Sequence, residues 1–75
     1  MELWVNGNVY NGAIVYGQNN DDVIIFRFNT INAVNFIPNV DARIVTGVDQ
    51  GIGSNYSIEW NEWHAGVQWC LLIKN

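Results

Sequence analysis

Glu59-Trp60-Asn61-Glu62-Trp63-His64 is the densest group of reactive side chains, with two carboxylates three residues apart and the chain's one histidine two further on. Acid–base catalysis needs such carboxylates in differently polar settings, so that their pKa values separate, and it needs a cleft. A chain of 75 residues has little material for one. Strand alternation points Glu59 outward and puts Glu62 in a loop, so a solvated surface is the plainer reading of the pair.

His64 and Cys70 have the types of a base and a nucleophile. Nothing in the sequence supplies an orienting third group or an oxyanion site, and a free Cys in a sheet ordinarily packs as a small hydrophobe. A zinc site draws on about four ligands, which one Cys and one His do not provide. Gly51-Ile52-Gly53 lacks the third Gly and the Lys of a phosphate loop. Asp49, Ser54 and Asn55 do not match the spacing of a calcium loop. No catalytic residue, metal or cofactor is expected, and the chain reads as a non-enzyme.

The four Trp remain. Trp4 and Trp69 are expected in the core, while Trp60 and Trp63 either cap the barrel end or form a contact surface, Trp being enriched at binding hot spots. The candidate binding residues are therefore Trp60, Asn61, Glu62, Trp63 and His64.

The elements that position them are strands. The chain has nine Val, nine Ile and twelve Asn, but four Ala, three Leu and three Lys plus Arg. Apolar β-branched runs bounded by Asn and Gly are a strand signature. Strands are expected at Glu2–Val5, Asn8–Tyr16, Val23–Phe28, Ala42–Val48, Asn55–Trp60 and Val67–Ile73. Asn6-Gly7 is a strong hairpin signal. Asn11-Gly12 predicts a bulge or sharp bend, and Gly17 to Asp22 a polar turn. Asn61 to Gly66 is expected as a loop. Residues 29–39 allow at most one short helical turn, since Pro38 discourages the α conformation before it.

The fold class is all-β: one small domain over 1–75, as a five- or six-stranded antiparallel barrel of SH3-like size or a compact two-layer sheet. Val23–Phe28 and Val67–Ile73 carry apolar side chains on both faces, which suggests a homo-oligomer covering the spare one. Val23, Ile25, Cys70 and Leu72 are the expected interface, with Arg27 alone on the third strand to oppose association.

Charge narrows the partners. Seven acidic and three basic side chains give −4, and phosphate binding draws on clustered Lys and Arg, so no nucleic acid is expected. No apolar run is long enough to span a bilayer. The absence of an export signal at Met1–Trp4 and the lone Cys make a cytoplasmic location the expectation. The expected function is a protein-interaction module, such as a small accessory, structural or inhibitor protein of the kind phages and mobile elements encode. Its acidity would suit a basic partner. The alternative is a carbohydrate-binding module, with sugar rings stacked on exposed Trp and hydroxyls bonded by Asn and Asp.

Overall fold

The computed structural model describes residues 1–36, 42–46 and 55–75. Asn6 and Gly7 take positive φ, 49° and 84°, as both central residues of a type I′ turn must. The hairpin joins β1 (Glu2–Val5) to β2 (Asn8–Tyr16) with Val5 opposite Asn8.

β2 serves two partners. Residues up to Asn11 pair with β1, and from Gly12 onward the strand pairs with β3 (Val23–Asn29). Gly12 sits at that corner, where a Cβ would fall onto the Arg27 carbonyl oxygen and within 2.9 Å of the Phe26 ring. The bend expected at Asn11-Gly12 is this change of partner; the register shift comes later, between Ile14 and Tyr16, leaving Val15 as the extra residue.

β4 (Ala42–Val45) returns beside β1, and β5 (Asn55–His64) pairs with both β4 and β6 (Val67–Lys74). β6 pairs with β3, closing a six-stranded antiparallel barrel in the order β1-β2-β3-β6-β5-β4. The all-β barrel expected from composition is therefore the fold, in its six-stranded form. Among the described residues the β4–β5 seam is the shortest, with Ala42 opposite Tyr56 and Arg43 opposite Asn55.

The lumen is filled by alternate residues. Leu3, Val5, Ile24, Phe26, Phe28, Ala42, Ile44, Tyr56, Cys70 and Leu72 form the buried cluster. On β3 the inward set is Ile24, Phe26 and Phe28, and the register places Leu72, Cys70 and Gln68 opposite them. Cys70 and Leu72 thus belong to the core, with no exposure. This corrects their expected place in an oligomer interface: cross-strand partners share a face, so pairing with Phe26 and Ile24 turns them inward. Val23 and Ile25 do face outward. Trp4 and Trp69 also lie outside rather than in the core, opposite Arg43 and Arg27 respectively.

Each barrel end is closed by chain. At one, the Tyr56 hydroxyl accepts from the Asn20 N–H at 2.9 Å and donates to the Asp21 carbonyl at 3.1 Å, holding the turn between β2 and β3. At the other, Val34 and Phe36 pack against the core. Phe36 stands edge-on to Tyr10, with ring centroids 5.7 Å apart, a favoured aromatic geometry. Residues 30–36 contain no helix. They plug a barrel end and do not cover the outer face of β3 and β6. Pro38, the Gly51-Ile52-Gly53 loop, Asp49, Ser54 and the end of the expected fourth strand fall outside the described residues.

Candidate functional site

β5 is longer than its sequence suggests. The expected loop from Asn61 to Gly66 is instead the continuation of the strand to His64 and a two-residue turn, Ala65-Gly66, with φ of 50° and 87°. Glu62 and its neighbours therefore lie on a strand, and alternation splits the candidate residues between two faces.

Asn61 and Trp63 turn inward, opposite Cys70 and Gln68. The Asn61 carboxamide oxygen accepts from Gln68 Nε2 at 2.7 Å. The Trp63 indole N–H donates to the Thr30 carbonyl at 3.2 Å. Trp63 is thus a lid at the barrel end, 37% exposed, tied to the segment that plugs it.

Trp60, Glu62 and His64 turn outward, opposite Leu71, Trp69 and Val67. A register shift between Ile58 and Trp60 accommodates the extra residue Glu59 and sets this phase. The Val15 bulge does the same on β2, placing Tyr16 opposite Ile25. With both bulges in place, one outward row crosses four strands: Tyr16, Ile25, Leu71, Trp60. The next row is Ala13, Arg27, Trp69, Glu62.

Tyr16 and Trp60 stand at the two ends of the first row, 61% and 41% exposed, with Ile25 and Leu71 more covered between them. They bound an open groove of about 820 Å³, lined also by Val15, Glu62, His64 and Trp69. Its wall is mostly apolar. Polar contacts sit along one side: His64 Nε2 lies 3.2 Å from a Glu62 carboxylate oxygen, both side chains well exposed. The Arg27 guanidinium lies over the Trp69 ring, 5.7 Å from its centroid, in cation–π range.

The geometry does not assemble the pairings considered for catalysis. His64 points outward and Cys70 inward, on opposite faces of the sheet. Burial pushes the Cys70 thiol up to about 12, which leaves it without thiolate character near neutral pH. Among the described residues no group of three or more His, Cys, Asp or Glu is placed to hold a metal ion. No helix among them is long and apolar enough to cross a membrane.

Sequence reasoning singled out Trp60, Glu62, His64 and Ile25 but missed Tyr16, Leu71 and Trp69 as their companions. The signal was the double-sided apolarity of the third and sixth strands. Which face was outward depended on the register between them. No protein-family model matches this chain, and neither a curated protein nor a solved structure matches it.

Proposed function

We propose that the chain is a non-enzymatic protein-interaction module whose docking surface is the outer face of β2, β3, β6 and β5. The observation that carries this reading is the cross-strand row Tyr16, Ile25, Leu71, Trp60. Its two end aromatics are exposed. Apolar surface gathered in one concave patch marks a contact site rather than the scattered exposure normal for a monomer. Aromatic anchors with aliphatic neighbours and a polar margin are the usual composition of an interface centre. In the next row Arg27 balances Glu62, so apolar contact, not the chain's net acidity, carries the docking. A small accessory, structural or inhibitor role fits such a module.

Carbohydrate binding is the second reading. Tyr16, Trp60 and Trp69 offer rings beside Glu62 and His64, a set that can stack a sugar and bond its hydroxyls. The aliphatic Val15, Ile25 and Leu71 favour protein instead. A photo-reactive side chain at Val15, with a control at Val9 on the far wall, separates the two. A discrete polypeptide adduct from Val15 and none from Val9 is expected. Failure of Val15 to cross-link to any polypeptide, with glycans shifting the NMR signals of Trp60 and Trp69, overturns the protein reading.

A further inference from the structure

We infer that the occupant of this face is a second copy of the chain, related by a two-fold axis lying along β6. The inference rests on the docking surface proposed above and names its partner.

The rows are arranged symmetrically about β6. When two outer faces meet across a two-fold axis that runs along a strand, each row keeps its level. A residue one strand to the left of the axis then faces the residue one strand to the right in the other copy. Here β3 and β5 flank β6. In the charged row, Arg27 on β3 and Glu62 on β5 sit on either side of Trp69. Each Arg27 therefore faces the other copy's Glu62, twice over. In the apolar row, Ile25 and Trp60 flank Leu71. Each Trp60 therefore lies over the other copy's Ile25, in the groove bounded by Tyr16. Leu71 meets its own counterpart on the axis. One axis satisfies both rows, apolar against apolar and cation against carboxylate.

Self-complementarity of this kind is what an isologous interface requires. A basic partner would instead want an acidic patch, and the charged row has one cation, Arg27, for its one carboxylate, Glu62. The Arg27 side chain is already aligned over Trp69, and among the described residues the one ion pair within reach is Glu62 with His64. Four strands about 4.8 Å apart and four same-face levels give a patch of about 500 Å² on each copy. That total is at the low end for specific interfaces, so a dimer in the micromolar range is expected.

The test is charge exchange, read by sedimentation from 1 to 200 µM (roughly the range in which so small an interface would assemble). The wild-type chain is expected to dimerise. Arg27→Glu and Glu62→Arg should each weaken the dimer at least tenfold, since each sets like charges face to face. Mixed one to one, the two variants should form a heterodimer, because every facing pair is then opposite. The double variant R27E/E62R should regain the homodimer. A wild-type chain that stays monomeric overturns the second copy as occupant, and leaves the photo-cross-link from Val15 to decide whether the face docks another protein. A dimer indifferent to both single exchanges, or not restored in the double variant, overturns the β6 axis.

Discussion

Gln68 and Val34, 34 residues apart, bond to each other as two peptide groups would. The Val34 N–H donates to Gln68 Oε1 at 3.0 Å, and Gln68 Nε2 donates back to the Val34 carbonyl at 3.0 Å. The same Nε2 reaches Asn61 Oδ1 at 2.7 Å. A fully buried carboxamide thus takes the place of a strand edge for the segment plugging the barrel.

Gln68→Met keeps the side chain's length and removes all of these bonds. Each buried partner left unsatisfied costs about 1–3 kcal/mol, so a loss of about 3 kcal/mol is expected. Urea unfolding would measure it as a lower midpoint at similar slope. A change below about 1 kcal/mol would mean that water replaces the carboxamide there.

Trp63 and Trp60 differ by face, and their substitutions should differ accordingly. Trp63→Ala uncovers the barrel end and removes the bond to the Thr30 carbonyl, with an expected loss of about 2 kcal/mol and about 10 °C in melting temperature. Trp60→Ala removes an outer side chain and should cost no more than about 1 kcal/mol of stability, while weakening association. Thermal melts of the two, beside sedimentation, would reveal the contrast; equal losses of stability would contradict it.

Ala65 holds a left-handed backbone, φ 50°, at the first central position of the β5–β6 turn. A Cβ makes that conformation unfavourable by about 1–2 kcal/mol, less for Asn. Ala65→Asn should therefore stabilise the protein by about 0.5–1 kcal/mol. A calorimetric melt that falls instead would show that the Ala methyl makes a contact worth more than the strain.

Alkaline pH should destabilise the fold through Cys70 and Tyr56. Burial raises the Cys70 thiol from 9.0 to about 12 and raises the Tyr56 hydroxyl as well. The folded state holds these protons after the unfolded chain has released them, so stability is full below pH about 9 and falls toward 12, by up to about 1.4 kcal/mol per pH unit for the thiol. Cys70→Ala should flatten part of that decline in urea titrations at pH 8 and 10. An unchanged slope would place the loss elsewhere.

The strand pattern was largely legible. Asn6-Gly7 marks its hairpin because the turn's backbone demands those residue types, and Val23 to Phe28 reads as a strand from composition alone. Ala65-Gly66 gave no such signal, since Ala is a poor occupant of a left-handed position. That one turn concealed the last four residues of β5 and made the Glu62 region look like a loop. The faces of β6 were illegible for another reason. Trp69 and Leu71 are as apolar as Cys70 and Leu72, so hydrophobicity does not choose between them. The register with Phe26 does, and register is a long-range property.

The β4–β5 seam sets how this molecule would fail. A closed ring has no strand edge to offer a neighbour. Here closure depends, among the described residues, on Ala42 against Tyr56 and Arg43 against Asn55. If those two pairs part, the ring becomes a curved ribbon of six strands with the edges of β4 and β5 newly unpaired. Most of the core pairing, between β3 and β6 and between β5 and β6, would survive. Such a ribbon can add strands from other molecules without having unfolded. Aggregation would then follow the frequency of seam opening rather than global stability. A disulfide across the seam would suppress it even if the melting temperature did not move.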